Sequence, residues 1–499
     1  MSSWKDNLIF YEIYPTSFKD SNGDGIGDLN GITSKLDYVK SLGFNAIWLN
    51  PFYKSPFKDG GYDISDFFDV DPKFGTIEDF RNLTKKAHEL GLRVICDLVP
   101  GHASEQNPMF LESAKPEHNE YSDLFIWNNS VWDYERPFIL ISGRYDRNAS
   151  YMVNFFSHQP ALNYGFNEDI KYSWQMSYED KRTYKTRDLI VKIMNFWLDN
   201  GADGFRVDMA DSLVKNDDEK KATIKVWQYI FGEVKKVHKD FFLVSEWCTP
   251  DRALKAGFDS DFILDHEDDF FHYLTKENKF SSNLNVLNGG NDEVFKLFKK
   301  DLVSKIDDAR NNNGYISVIS GNHDTWRLAT YLNDDELRLF YLIQMTLPGI
   351  PFVYYGDELG MKYQKLNSKD GGYHRTGDRT PMKFDHSKNN GFSTSDNLYL
   401  PLSDDNLNAE DAINDKNSLL NYIKELISLR KKHQNLFNND FVLEETELRV
   451  ISYVRDDIKV IVNLTDHEVN FEGEVLFKSN NNAIKGNKLQ VKSAVILKI

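Results

Sequence analysis

Eight short apolar runs recur along roughly the first 360 residues of this chain, and longer segments with helical periodicity separate them. The runs are rich in β-branched and aromatic residues and nearly continuous in apolar character, as is typical of parallel strands covered on both faces. Eight strand–helix units predict an α/β chain with a (β/α)8 (TIM) barrel. A doubly wound sheet is disfavoured because no glycine-rich phosphate-binding loop follows any run. The runs span residues 9–15, 46–51, 93–100, 204–208, 241–247, 261–266, 315–320 and 350–356.

Helix boundaries can be located between the runs. Thr76 and Asp79 have the spacing of a capping box, an apolar stripe follows them, and Gly91 ends that helix. A second stripe before the fourth run ends at Gly201, and residues 417–432 predict a final amphipathic helix. The two stripes consist of Ile77, Phe80, Leu83, Ala87 and Leu90, and of Ile190, Ile193, Met194, Trp197 and Leu198.

The connection between the third and fourth runs is too long to be an ordinary strand-to-strand crossover of a barrel. About a hundred residues separate the third and fourth runs, more than one crossover helix needs. The first part of this segment is rich in Trp, Tyr, Asn and Pro and predicts a lobe inserted above the barrel. After the final helix, two strands around an Asp456-Asp457 turn and a closing strand predict an antiparallel β-sandwich. The predicted domains are residues 1–101 and 171–437 for the barrel, 102–170 for the lobe, and 438–499 for the β domain.

The charge balance excludes several classes of partner. The chain has 60 Lys and Arg against 77 Asp and Glu, a net charge of −17, which repels phosphate backbones and anionic lipid. We therefore expect neither nucleic acid nor membrane partners. No apolar stretch reaches the roughly 18 residues of a spanning helix, and the first residues lack a signal-peptide pattern. Cys96 and Cys248 lie in apolar runs and indicate no disulfide framework, so we expect a cytoplasmic protein.

Acidic residues stand at the ends of four of the predicted strands. The carboxyl ends of barrel strands meet at one face, so these acids should converge there with neighbouring His and Arg side chains. A single acid at a strand end usually caps a helix, but four such acids on four different strands favour a catalytic role. Without a Cys/His metal cluster, this set suits glycosidic cleavage through an oxocarbenium-like transition state, which needs one ionised and one protonated carboxyl group. The acids are Asp97, Asp208, Glu246 and Asp324, and their neighbours are His102, Arg206 and His323.

Four ordered motifs carry a family resemblance. DLVPGH (97–102), GFRVD (204–208), SEW (245–247) and GNHD (321–324) resemble the conserved regions of glycoside hydrolase family 13, the α-amylase family. The resemblance covers nearly the whole chain and is strongest to the oligo-1,6-glucosidase and α-glucosidase branch. It implies that Asp208 is the nucleophile, Glu246 the general acid/base, and Asp324 the residue that stabilises the transition state by binding sugar hydroxyls.

The resemblance extends to the sugar-binding residues. DGGYD (59–63) implies that Tyr62 stacks on the sugar and that Asp59 binds its far hydroxyls, with His102, Arg206 and His323 completing the subsite. GDRTPMKFD (377–385) resembles a branch signature in which Arg379 would pair with Asp59 and close the pocket. FFSHQPALN (155–163) resembles the branch's QPDLN segment and implies that Phe155 and Gln159 lie near the ligand.

A second candidate site lies in the loop DSNGDGIGD (20–28). Its oxygen donors and glycines resemble the start of an EF-hand loop, although position twelve is Gly31 rather than Glu. A solvated loop of Asx turns is the alternative. The branch resemblance implies a structural Ca²⁺ site, with no organic cofactor. The implied ligands are Asp20, Asn22, Asp24, the Ile26 carbonyl and Asp28.

Three positions depart from the family pattern. Gly101 replaces the usual Asn before His102, and Ala161 replaces an acid of the branch. Met209 follows the nucleophile, where the branch has Val for α-1,6 linkages and Ala or Thr for α-1,4 linkages. The linkage preference therefore stays open.

Three functions are compatible with the fold and the family resemblance to different degrees. The first is a retaining exo-acting α-glucosidase that hydrolyses di- and trisaccharides. The second is a transglycosylase or isomerase, trehalose-synthase-like or sucrose-converting, which shares the glucosyl-enzyme intermediate but transfers the glucosyl group to a sugar. The third, a non-catalytic binding subunit, is disfavoured because the chain keeps all three acids and has no membrane segment. The sequence favours the first and indicates no oligomeric state.

Overall fold

Eight parallel strands close into a barrel in the computed structural model, which describes residues 4–133, 137–277, 284–371 and 374–499. Each strand pairs with the next one along the chain, and β8 pairs with β1. The predicted fold class is confirmed, and every strand begins no more than one residue outside its predicted run. The barrel strands are β1 (Phe10–Ile13), β2 (Ala46–Leu49), β3 (Arg93–Leu98), β4 (Gly204–Val207), β5 (Phe242–Ser245), β6 (Ser260–Ile263), β7 (Tyr315–Ile319) and β8 (Ile350–Tyr354).

The helices between these strands follow the predicted boundaries. Thr76 and Asp79 form the predicted capping box, and Gly91 and Gly201 adopt positive φ just after their helices. The helices are α1 (Pro15–Phe18), α2 (Leu29–Ser41), α3 (Ile77–Glu89), α4 (Pro108–Ser113), α5 (Tyr184–Asp199), α6 (Lys221–Val234), α7 (Pro250–Ala256), α8 (Phe270–Thr275), α9 (Asp292–Asn311), α10 (Asp334–Thr346), α11 (Ala409–Asn414) and α12 (Leu419–Lys432).

Strands β3, β4 and β5 lie in register side by side. Arg206 of β4 pairs with Asp97 of β3 on one side and with Val244 of β5 on the other. A Cβ atom on Gly204 would lie only 2.0 Å from the carbonyl oxygen of Phe242, so a larger residue at this position would push β4 and β5 apart. This close approach places the residues that follow the two strands next to each other.

The segment after β3 folds above the barrel and has its own small aromatic core. Phe110 of α4 stacks on Trp127 with ring centroids 5.6 Å apart, and two short strands, Leu140–Ile141 and Tyr151–Met152, pair antiparallel. Residues 134–136 of the predicted lobe lie outside the described residues. Trp174 packs in the same apolar cluster as Phe166, and the predicted boundary at residue 170 stays a prediction.

The C-terminal segment forms two antiparallel sheets, as predicted. The larger sheet has the order β9-β10-β11-β16-β13 and the smaller one the order β12-β15-β14. Val450, Ile461 and Val495 of the large sheet pack in one buried cluster with Leu489 of the small sheet, which makes the pair a sandwich. The strands are β9 (Val442–Leu443), β10 (Val450–Arg455), β11 (Ile458–Asn463), β12 (Val469–Asn470), β13 (Glu474–Lys478), β14 (Ile484–Lys485), β15 (Lys488–Leu489) and β16 (Ser493–Lys498).

Two further properties concern the whole described chain. Within its described part, no helix combines the length and apolar character needed to cross a bilayer. Cys96 and Cys248 are both buried and both free thiols.

Candidate active site

One buried guanidinium joins three of the strand-end acids. Arg206 is 1% exposed, and its Nη1 donates to Asp97 Oδ1 at 2.7 Å and to Asp208 Oδ1 at 3.0 Å. Its Nη2 lies 2.8 Å from Glu246 Oε1. The structure therefore brings together acids from the ends of β3, β4 and β5, which the sequence placed on one face of the barrel.

Asp208 and Glu246 are the two acids that follow β4 and β5, and Arg206 contacts both of them. Burial and the neighbouring Glu246 carboxylate raise the pKa of Asp208 well above its usual range. The backbone N–H of Met209 donates to Glu246 Oε2 at 2.9 Å, and this fixes the second carboxyl group. Because its pKa is raised, the Asp208 carboxyl group holds its proton to higher pH than an isolated aspartate would.

His323 lies between two carboxylates. Its Nδ1 faces Glu12 Oε1 at 3.0 Å, and its Nε2 faces Asp324 Oδ2 at 3.2 Å. Burial alone would lower the pKa of His323, but Asp324 and Glu12 outweigh it and raise that pKa to about 9. His323 is therefore an imidazolium at neutral pH. Burial also raises the pKa of Glu12 to about 7, although His323 and Asn50 favour its ionised form.

Asp324 lies among three cationic groups. Arg375 Nη1 donates to its Oδ1 at 2.6 Å, and Arg379 Nη2 donates to the same oxygen at 3.1 Å. Burial alone would raise the pKa of Asp324, but His323 and the two arginines hold it well below its usual range. Asp324 is therefore ionised throughout the physiological pH range.

The predicted pair between Asp59 and Arg379 is wrong. Arg375 Nη2 binds Asp59 Oδ1 at 2.8 Å, so Arg375 bridges Asp59 and Asp324. Arg379 is fully buried, and its Nε donates to the His323 carbonyl at 2.9 Å. The two arginines are four residues apart in one segment, and only the tertiary structure decides which of them reaches Asp59. Arg375 is the functional residue that sequence reasoning missed.

The remaining predicted sugar-binding residues surround this bridge. Gln159 Nε2 donates to Asp59 Oδ2 at 2.7 Å, and the Tyr62 ring stacks on His323 with centroids 5.1 Å apart. Burial lowers the pKa of His102 to about 4, so this imidazole is neutral; its Nε2 lies 3.1 Å from the Tyr62 carbonyl oxygen. Phe155 is 52% exposed on the lobe, and its contact with a ligand stays a prediction.

Two of the three departures from the family pattern have a structural explanation here. A Cβ atom on Gly101 would lie 2.5 Å from Asn154 Nδ2, so the glycine makes room for an amide supplied by the lobe. That amide lies 3.3 Å from His102 Nδ1, and Lys215 Nζ donates to its Oδ1 at 2.9 Å. Ala161 is fully buried and forms a β-bridge with His102, so an acid at this position would be a buried charge.

Met209 has an uncommon backbone conformation. Its φ of 41° lies in the left-handed region, which a residue with a long side chain adopts only when its surroundings hold it there. This turn directs the Met209 N–H to Glu246 and places its sulfur 3.8 Å from Asn154 Nδ2. Met209 thus links the loop after β4 with the inserted lobe.

Comparisons with known proteins agree with this geometry. A family model described as the alpha amylase catalytic domain matches residues 12–439. The chain is 31% identical to Alpha-amylase 3 of Dictyoglomus thermophilum, over 95% of this chain and 88% of that protein. It is also 31% identical to Glucan 1,6-alpha-glucosidase of Streptococcus pneumoniae, over 95% and 94%. A solved structure of an inactive double mutant of MutB in complex with isomaltulose superposes with a TM-score of 0.81, at 25% identity over 100% of both chains.

Removing the Glu12 charge should make His323 less basic. In Glu12→Gln, we expect the pKa of His323 to fall by about one or more from its value near 9, because an anionic neighbour is lost. NMR titration of histidine-labelled protein measures this, with His323→Gln assigning the resonance. Glu358→Gln is the matched control, because Glu358 is a fully buried acid hydrogen-bonded to Tyr11 and Tyr38 instead. If His323 of the wild-type protein titrates near the ordinary pKa of histidine, its assignment as an imidazolium at neutral pH is wrong.

Proposed function

The chain belongs to glycoside hydrolase family 13, the α-amylase family, and to its oligo-1,6-glucosidase-like branch, and we propose that it hydrolyses short α-glucosides from the non-reducing end with retention of configuration. The observation that carries the proposal is the Arg206 bridge between the carboxyl groups of Asp208 and Glu246. A retaining glycosidase needs its nucleophile and its acid/base about 5–5.5 Å apart, too close for an intervening water.

The two acids divide the reaction between them. Asp208 would attack the anomeric carbon and form a glucosyl ester while Glu246 protonates the departing glycosidic oxygen. Glu246 would then take a proton from water, which attacks the ester and releases glucose. Asp324, ionised throughout, would accept hydrogen bonds from the sugar hydroxyls, and these strengthen in the transition state.

Local charges act on both reacting carboxyl groups. Burial and Glu246 raise the pKa of Asp208, whereas Arg206 lowers it. Arg206 stays charged and lies 3.0 Å from Asp208 Oδ1 and 2.8 Å from Glu246 Oε1, so it would stabilise whichever carboxylate is ionised at each step. The chemistry of the two steps then requires an ionised Asp208 for the attack and a protonated Glu246 for the departing oxygen.

The Arg375 bridge supports cleavage from the chain end. Arg375 binds both Asp59 and Asp324, and Gln159 of the lobe holds the other oxygen of Asp59. A paired, half-buried charge cluster of this kind would form a wall that leaves space for one terminal glucose unit. We assign to Arg375 the pocket-closing role that the family resemblance implied for Arg379. Met209, beside the nucleophile, would line the next subsite and adapt to several small acceptors.

Chain-length dependence tests this wall. We expect kcat/KM to be highest for maltose and maltotriose and not to rise further up to maltoheptaose. Arg375→Ala should raise the ratio of kcat/KM for maltoheptaose to that for maltose. Arg182→Ala, at an exposed arginine paired with Asp180, should leave the ratio unchanged. Wild-type efficiency that climbs steadily with substrate length would show an open, amylase-like cleft.

Chromatography of the products decides between hydrolysis and transfer, because a rearranged disaccharide in place of glucose would indicate an isomerase.

We also propose that the loop at residues 20–28 binds a structural Ca²⁺ ion. The loop offers only oxygen donors, as Ca²⁺ requires, and hydrogen bonds from Asn22 N and Gly25 N to Asp20 fold it at 3.0 and 2.8 Å. Burial would raise the pKa of Asp20, but hydrogen bonds from Ser393 and the backbone lower it, so the side chain is anionic. Asp20, Asn22, Asp24, the Ile26 carbonyl and Asp28 would hold the ion.

Thermal melting tests the Ca²⁺ proposal. Because the ion would bind only the folded state, saturating Ca²⁺ should raise the melting midpoint relative to chelator-treated protein. Asp24→Asn should reduce that rise, since Asp24 is exposed and its carboxylate would be a direct ligand. If the midpoint is the same with Ca²⁺ and with chelator, the Asx turns alone account for the loop.

A further inference from the structure

Three potential metal ligands meet at the ends of β5 and β6. Cys248 follows β5, and His266 and Asp269 follow β6; one ligand atom of each lies within 4.8 Å of the others. The sequence showed no Cys/His metal cluster because these residues come from two separate loops and one of them is an acid. The backbone N–H of Cys248 donates to Asp261 Oδ1 at 3.3 Å, which fixes the first of these loops.

A buried oxygen of Asp269 has no hydrogen-bond partner. Asp269 is 3% exposed, and within the described residues its Oδ2 accepts no hydrogen bond. His266 Nδ1 lies 3.8 Å from this oxygen. An unpaired buried carboxylate oxygen is costly, and a cation between these groups would satisfy it.

Lys305 supports the cluster from one side. Its Nζ lies 3.2 Å from Asp269 Oδ1 and donates to the Cys248 carbonyl at 2.8 Å. It therefore joins the two loops through atoms that are not the candidate ligands. The candidate ligand atoms are the Cys248 sulfur, which also accepts a hydrogen bond from the Leu264 backbone, the His266 imidazole and Asp269 Oδ2.

We propose that Cys248, His266 and Asp269 form a binding site for a divalent transition-metal ion of the Zn²⁺ class. A thiolate, an imidazole and a carboxylate are ligands that Zn²⁺ accepts in proteins, and three protein ligands leave a fourth position open. Ca²⁺ and Mg²⁺ do not fit, because they prefer oxygen ligands.

The site opens into the same cleft as the general acid. A cavity of about 240 Å³ is lined by Met209, Glu246, Trp247, Cys248 and His266. An ion bound here would occupy this cavity beside Glu246 and compete with the substrate for the space. The inhibitory consequence rests on the proposed function, whereas metal binding does not.

Spectroscopy of the Co²⁺-loaded full-length protein tests binding directly. We expect one Co²⁺ per chain with a near-ultraviolet thiolate-to-metal charge-transfer band. Cys248→Ser should lose the band, and His266→Ala should weaken binding at least about tenfold. His467→Ala is the matched control, because His467 also faces carboxylates, Glu447 and Asp466, each at 3.1 Å, but on the surface. Co²⁺ binding should therefore be unchanged in His467→Ala. Co²⁺ bound at oxygen ligands elsewhere would give no thiolate band.

Activity assays give the second readout. Zn²⁺ should inhibit wild-type hydrolysis reversibly, and Cys248→Ser and His266→Ala, each compared with its own metal-free rate, should lose at least about tenfold in sensitivity to Zn²⁺. His266 is mostly exposed, so His266→Ala should still fold if Cys248→Ser does not. Absence of a thiolate band in wild-type protein, or unchanged Zn²⁺ inhibition in His266→Ala, would overturn the proposal.

Discussion

The active site depends on one buried cation. Arg206 lies on β4 between two neighbouring strands and binds acids that follow or end all three of them, Asp97, Asp208 and Glu246. Burying an arginine costs desolvation free energy, and so does burying several carboxylates close together. The attraction between these opposite charges offsets part of both penalties. Because the strand register sets these positions, the barrel fixes the distance between the two reacting carboxyl groups more firmly than any loop could.

Charges of alternating sign extend this arrangement to the other side of the pocket. Glu12, His323 and Asp324 form one line of contacts, and Arg375 continues it from Asp324 to Asp59. Each group is buried or half-buried with a partner of opposite charge, which holds the site rigid before any ligand binds. The lobe contributes at both ends, through Gln159 on one carboxylate and through Asn154 beside His102.

Local signals predicted the elements well. Apolar runs located all eight barrel strands, the Thr76 and Asp79 spacing gave a real capping box, and the Asp456-Asp457 turn joins β10 to β11. The convergence of the strand-end acids also followed from the sequence, since the carboxyl ends of all the strands in a parallel barrel lie at the same face. Periodicity and turn chemistry act within a few residues, so a single sequence contains them in full.

The pairing of side chains that are far apart in the sequence could not be predicted in the same way. Whether Arg375 or Arg379 reaches Asp59 depends on a loop path that no local pattern encodes. Asn154 fills the space beside Gly101 from more than fifty residues away, and Cys248 meets His266 and Asp269 only because β5 and β6 are neighbours. Side-chain pairing is decided by the packed structure, and residues that depart from a family pattern show this most clearly.

The adjacency of Asp208 and Glu246 on the Arg206 bridge is the central claim, and the configuration of the released sugar tests it most directly. Proton NMR during early hydrolysis of p-nitrophenyl α-glucoside distinguishes the two anomers before mutarotation mixes them. Two displacements through a covalent ester release α-glucose first, and this is the expected result. Initial release of β-glucose would mean that water attacks directly from between more widely separated carboxyl groups, and would contradict the assignment.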